Sequence, residues 1–208
     1  MTFLRTRMSN NFEDVFKLFK KHYKLIPLER FGNNSYRILV STILSSRTKD
    51  EITYLASRKL FEKAPNIKIL NELDIKKIKK LIYPVGFYNT KAKHLKNLAE
   101  IIEKEYKGKI PTTRDELLNL PGVGRKTANL VLNRAFGKQA ISVDTHVHTI
   151  SNLLGWVNTK TPEETEKELI KILPKKYWKE INMLFVSIGR QFRSKKSLVK
   201  FLRKNNLI

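Results

Sequence analysis

The sequence predicts an all-α fold. Three observations carry this. Apolar residues recur at helical spacing along most of the chain, helix start signals stand where that spacing requires them, and no stretch alternates polar and apolar residues as a half-buried strand does. About ten short helices are expected from these signals. Phe12, Val15, Phe16 and Phe19 predict an amphipathic helix near the N-terminus. Tyr36 to Leu44 is apolar nearly all round, as in a buried helix. Ile75, Ile78, Leu81 and Ile82 form one stripe, and Ala92, Leu95, Leu98, Ala99 and Ile102 a longer one. Tyr83-Pro84-Val85-Gly86 breaks the pattern between them. Thr113 with Glu116 reads as a capping box, and Thr161-Pro162-Glu163-Glu164 as an N-cap, a proline at N1 and an acid at N3. At the C-terminus, Ser194 is placed to cap a helix with Leu198, Phe201 and Leu202 inward and Lys195, Lys196, Lys200, Arg203 and Lys204 outward. The alternative there is a frayed, solvated tail.

Composition narrows the function. The 208 residues, 41% of them hydrophobic, suffice for one large domain or two small ones sharing a core. No apolar run reaches the length of a membrane span, and Met1-Thr2-Phe3-Leu4-Arg5 leads into polar sequence and not into a signal-peptide core. The expected location is the cell interior. Lysine and arginine total 42 against 19 acids, a formal charge of +23. Such an excess favours a polyanionic partner, nucleic acid being the commonest; the alternative is charge that only solvates the surface. The chain has no cysteine, so no disulfide, thiolate zinc site or cysteine-ligated iron–sulfur cluster can be built from it. His22, His94, His146 and His148 give no metal-ligand spacing on one helix face.

One stretch points to chemistry. Leu120 closes a short helix, Pro121-Gly122-Val123-Gly124 makes a tight turn, and a second helix starts near Arg125 and runs to Phe136. Two glycines permit positive φ and close approach of a ligand to the backbone. The first amides of the second helix lack intrahelical partners and point outward. Together these form a phosphate site of the kind found at helix N-termini, which contacts backbone and carries no base information. An ordinary αα-hairpin has the same spacing. Lys126 lies in the first turn, where the positive end of the macrodipole and neighbouring Arg125 disfavour the ammonium form. A neutral amine there can attack carbon; the plainer role is a phosphate contact. Downstream, Asp144 ends a short apolar run and precedes another helix. It is a natural N-cap, and a capping carboxylate can also stabilise developing positive charge or assist proton transfer.

These residues resemble the endonuclease III family of the helix–hairpin–helix DNA glycosylase superfamily. Leu120-Pro121-Gly122-Val123-Gly124-Arg125-Lys126-Thr127-Ala128-Asn129 is similar to the family's hairpin, and Val143-Asp144-Thr145-His146-Val147 to its aspartate motif. Leu44-Ser45-Ser46-Arg47-Thr48-Lys49-Asp50 and Gly86-Phe87-Tyr88-Asn89-Thr90-Lys91-Ala92 match two further segments. The resemblance implies two helical domains flanking a DNA-binding cleft. One is a six-helix domain over roughly residues 28–136, with the hairpin at about 113–136; the other joins roughly 1–27 to 137–208. It implies Lys126 as nucleophile and Asp144 as its partner. Gly122, Val123, Gly124, Arg125 and Thr127 become DNA contacts, Phe87 a wedge in the duplex, and Arg47 the group that fills the gap after a base is flipped out.

The implied activity is base-excision repair: a DNA glycosylase with β-elimination lyase activity at abasic sites, acting on oxidised pyrimidines. Two alternatives stay open, a uracil or thymine mismatch glycosylase on the same scaffold and a non-catalytic DNA-binding protein. The expected partner is double-stranded DNA with damaged bases or abasic sites, met by a monomer away from membranes and without a cofactor. The four-cysteine iron–sulfur cluster common in the family has no ligands here. Arg190-Gln191-Phe192-Arg193-Ser194-Lys195-Lys196 occupies its place in the sequence, and the basic C-terminal helix is expected to replace it.

Overall fold

The helix signals become twelve α-helices and two short 3-10 segments in the computed structural model, which describes residues 11–208. The first ten residues, on which the leader-peptide reading rests, lie outside the described part. Among the described residues there is no strand, and no helix is long and apolar enough to cross a membrane. The chain divides into two compact units. Pro27–Lys138 forms one, and Gln139–Ile208 joins the N-terminal stretch up to Ile26 to form the other.

The unit Pro27–Lys138 holds a 3-10 segment (Pro27–Phe31) and seven α-helices: α2 (Ser35–Ser45), α3 (Asp50–Lys63), α4 (Ile67–Glu72), α5 (Ile75–Ile82), α6 (Tyr88–Tyr106), α7 (Arg114–Leu118) and α8 (Arg125–Phe136). That is one more helix than the six implied by the resemblance. Helix α2 sits at the centre. Its residues Tyr36 and Ile38 to Leu44 are all buried, and it packs on α8, α3 and α6. The apolar all-round pattern is the cause, since no face of such a helix can be left in water. Helices α2, α4, α5 and α7 start at side-chain caps, in which Asn34, Asn66, Asp74 and Thr113 accept backbone N–H groups three residues on. Glu116 completes the capping box at Thr113.

The other unit contains α1 (Phe12–Lys21), α9 (Thr145–Leu153), α10 (Pro162–Ile172), α11 (Ile181–Gly189) and α12 (Lys195–Lys204). Aromatic rings cluster within its otherwise aliphatic core. Phe16 stacks on Tyr177 with ring centroids 4.1 Å apart, Phe12 meets Trp156 edge-on at 4.6 Å, and Phe19 meets Phe185 at 5.0 Å. Asn11 links the start of α1 to Trp156 and to the segment after α12, accepting a hydrogen bond from Trp156 Nε1 at 2.9 Å and donating to the Leu207 carbonyl at 3.2 Å.

Helix α12 forms as its sequence signals require. Ser194 caps it in a reciprocal box with Ser197. Leu198 and Leu202 enter the core, with Phe201 packed against it and its ring 5.0 Å from that of Phe192. Lys195, Lys196, Lys200, Arg203 and Lys204 are exposed. The frayed-tail alternative does not describe this segment. Leu202 is fully buried, so Leu202→Ala should lower the unfolding free energy by about 2–5 kcal/mol, whereas Lys200→Ala should change it by less than about 0.5 kcal/mol. Denaturant unfolding of both variants checks this; equal, small effects would mean that α12 contributes nothing to the core.

Candidate functional site

The hairpin is built from α7, a four-residue turn and α8. Leu117 and Leu120 are buried beneath the turn, and the Val123 N–H donates to the Leu120 carbonyl at 3.1 Å. Val123 is itself buried, so its amide and its side chain are both committed inside the turn. Gly122 has φ +79, and a Cβ there would meet the His94 ring at 2.9 Å. Both backbone and space therefore demand glycine. Gly124 differs from the sequence expectation. Its φ is −100, so it does not use glycine's access to positive φ, and a Cβ there would touch nothing within 4 Å. What its bare Cα leaves open is the approach to α8.

Gly124 is the N-cap of α8 and supplies no capping side chain. The intrahelical ladder begins with the Ala128 N–H donating to the Gly124 carbonyl. Arg125, Lys126 and Thr127 thus occupy the first turn, with Lys126 half-buried and Thr127 buried. Lys138 braces the far end of the hairpin, its ammonium donating to the Thr112 carbonyl.

Asp144 belongs to the other unit. Its Oδ1 accepts from the N–H groups of His146 and Val147 at 3.0 and 2.9 Å, which makes it the N-cap of α9. The preceding apolar run is held by Asn182, which donates to the Ser142 carbonyl at 3.1 Å. The His146 ring lies where a side chain on Gly189 of α11 would otherwise be. Capping orients the carboxylate and keeps it at the N-terminal end of α9.

Arg47 and Phe87 are brought together in the Pro27–Lys138 unit. Arg47 lies in the α2–α3 loop and Phe87 in the α5–α6 turn, with the guanidinium 5.6 Å from the ring centroid. Phe87 is 61% exposed, so it is not the core residue its type would suggest. Tyr83, from the same turn, is 59% exposed and packs edge-on against Tyr88.

Sequence reasoning missed what holds these loops. Lys91, in the first turn of α6, is 6% exposed. Its ammonium donates to the Leu44 carbonyl at 2.8 Å, the Ser46 carbonyl at 2.5 Å and Thr48 Oγ1 at 3.2 Å. Burial pulls its pKa down from 10.5 to about 8. Between those values the unfolded chain binds more protons than the folded one, so this group's contribution to stability rises with pH across that window and is lost as pH falls through about 8. The available signal was its spacing: position 91 precedes Leu95 by four residues and so lies on the apolar face of α6.

The iron–sulfur cluster implied by the resemblance does not fit this chain, which has no cysteine to hold it. Among the described residues no group of three or more metal-capable side chains gathers.

Residues 40–175 match the HhH-GPD superfamily of base excision DNA repair proteins. Endonuclease III of Thermotoga maritima is 45% identical over 175 residues, covering 84% of this chain and 82% of that protein. The endonuclease III-like protein 1 of Gallus gallus is 43% identical over 75% of this chain, which spans 57% of the longer animal protein. A solved structure of a trapped endonuclease III–DNA covalent intermediate superposes with a TM-score of 0.81 at 30% identity, covering 94% of this chain and 90% of that one. The chain belongs to the endonuclease III family within this superfamily of DNA repair proteins.

The two hairpin glycines are separable by experiment. Gly122→Ala forces a side chain into the left-handed region and against His94, and should lower stability by about 1–3 kcal/mol. Gly124→Ala should change stability by less than about 1 kcal/mol, yet weaken binding to damaged and undamaged duplexes alike. Thermal melts and duplex titrations at fixed salt make the test; unchanged binding by Gly124→Ala would sink the phosphate-site role.

Proposed function

We propose that Lys126 is the nucleophile of a combined glycosylase and lyase reaction on oxidised pyrimidines in duplex DNA, with Asp144 as its electrostatic partner. The chain is an enzyme of base-excision repair, a DNA glycosylase that also cleaves the strand at the resulting abasic site. One observation carries the assignment of roles: Lys126 stands at the second position of α8, immediately after the uncapped, side-chain-free start of that helix, in a chain of this family. Phosphate binding at the turn would place a sugar next to this amine.

The damaged nucleotide is extruded from the stack, with Phe87 and Arg47 entering the space it leaves. The Lys126 amine attacks C1′ as the bond from C1′ to the base breaks, and the base departs with the electron pair and takes up a proton. The Asp144 carboxylate stabilises the cationic character developing on the sugar. The C1′–O4′ bond then breaks, O4′ leaving with the electron pair and taking up a proton, which opens the sugar ring and yields a protonated Schiff base between Lys126 and C1′. Loss of a C2′ proton then expels the 3′ phosphate by β-elimination, and hydrolysis of the imine frees the lysine. The protein groups suffice for each step, so no cofactor is part of the proposal. The enzyme acts as a monomer inside the cell, where its substrate is.

Borohydride should trap wild-type protein on lesion-bearing duplex, and Lys126→Gln should abolish the adduct; trapping by the variant at the wild-type level would remove Lys126 from this role. A panel of single-lesion duplexes run in the same assay reports the substrate. Efficient release of uracil or thymine opposite guanine, with oxidised pyrimidines untouched, would favour the mismatch enzyme instead.

Asp144→Asn retains an oxygen that can cap α9 but loses the charge. It should keep DNA binding and lower base release by about 100-fold, the scale of losing one preorganised electrostatic group. Single-turnover assays check this; wild-type rates in a destabilised variant would leave Asp144 with capping alone.

A further inference from the structure

Arg47 has φ 50 and Phe87 φ 57. A side-chain-bearing residue in the left-handed region is strained by about 1 kcal/mol or more and persists when the surrounding structure over-determines it. Here two such residues stand side by side on different loops, both reaching outward. Val85 anchors the α5–α6 turn in the core, but Ser46, Arg47 and Thr48 in the α2–α3 loop carry no apolar side chain. What fixes them is a closed polar network inside the protein.

Lys91 has three N–H donors, and three oxygens receive them: the carbonyls of Leu44 and Ser46 and the hydroxyl of Thr48. The first lies in the last turn of α2, where carbonyls have no helical partner and a cation is favoured by the macrodipole. Thr48 Oγ1 donates in turn to the Ser46 carbonyl at 3.1 Å and accepts from the Gly86 N–H at 3.1 Å. Gly86 completes the join by lacking a side chain. A Cβ at that position would overlap the Arg47 carbonyl oxygen, so the two backbones touch directly. The network spans Leu44 to Thr48 on one side and Gly86 to Lys91 on the other, and Arg47 and Phe87 are the residues it leaves pointing out.

We propose that Lys91 is a positioning residue for base extrusion: from within the protein it joins the two loop backbones, so that Arg47 and Phe87 stand preset as one two-pronged wedge. This rests on the reading above that both residues enter the duplex. A buried cation surrounded by neutral oxygens is a poor device for stability, because its desolvation opposes folding. It is a good device for rigidity, because an ammonium fixes three acceptors at once. With the wedge preset, inserting it into DNA does not require ordering two loops at the same moment.

The test uses the full chain on a lesion duplex carrying 2-aminopurine beside the lesion, whose fluorescence rises when the stack opens. Lys91→Met and Thr48→Val cut the network from its two sides. Both should reduce the fluorescence rise and slow base release by about tenfold, while cleavage of a preformed abasic site, which needs no base extrusion, falls by less than about threefold. Phe87→Ala should show the same selective pattern. If Phe87→Ala does so but folded Lys91→Met and Thr48→Val retain the wild-type fluorescence and rate ratio, the positioning role is overturned and the wedge stands. If neither Phe87→Ala nor Arg47→Ala alters that ratio, the wedge reading fails and the role of Lys91 fails with it. Should Lys91→Met not fold, Thr48→Val decides, since it keeps the buried lysine and its two carbonyl bonds.

Discussion

Helix α2 is buried along nearly its whole length, and a helix of that kind must dispose of its last carbonyls without water. The Leu44 carbonyl meets the Lys91 ammonium, the Thr42 carbonyl the Ser45 hydroxyl and the Ser45 carbonyl the Thr48 N–H. Packing of α2 on α3, α6 and α8 fixes where it ends, and the lysine drawn to that end comes from the start of α6. The loops on either side then have little choice of path. A desolvated polar problem in the core is converted into a defined shape at the surface, where Arg47 and Phe87 project.

A division among helix starts follows the same logic. In this unit α2, α4, α5 and α7 begin at side chains that accept a backbone N–H, whereas α3, α6 and α8 begin at Lys49, Phe87 and Gly124 without such a bond. The capped starts serve folding. The uncapped ones adjoin the loops to which a DNA role is assigned. In the other unit the Asp144 Oδ1 accepts from two amides, which caps α9 and holds the carboxylate in place for the catalytic role proposed for it. Its catalytic and capping readings are thus not rivals.

The elements that were legible in the sequence are those decided locally. Thr113 with Glu116, Thr161 with Pro162, and Ser194 ahead of Leu198 and Leu202 each announce a helix within a few residues, and each helix is present. The hairpin was legible for the same reason, its glycines, first turn and lysine being contiguous. What escaped depends on distant partners. Lys91 reads as one more cation in a chain with 42 of them, and only its contacts with residues more than forty positions away reveal it as buried. Gly122 and Gly124 look equivalent in sequence, but His94 crowds the first alone. The exposure of Phe87 likewise depends on a backbone angle set by its neighbours and not by its residue type.

The bare start of α8 also bears on how far this protein can be hardened against heat. A serine or aspartate at Gly124 would be an obvious stabilising change, since such caps strengthen helix starts by about 0.5–2 kcal/mol. At this helix the new oxygen would sit among the amides proposed to receive a phosphate, and the chain would carry its own competitor. The proposed phosphate site thus sets a limit on capping at Gly124, and selection for thermal resistance would have to find its gains at other positions.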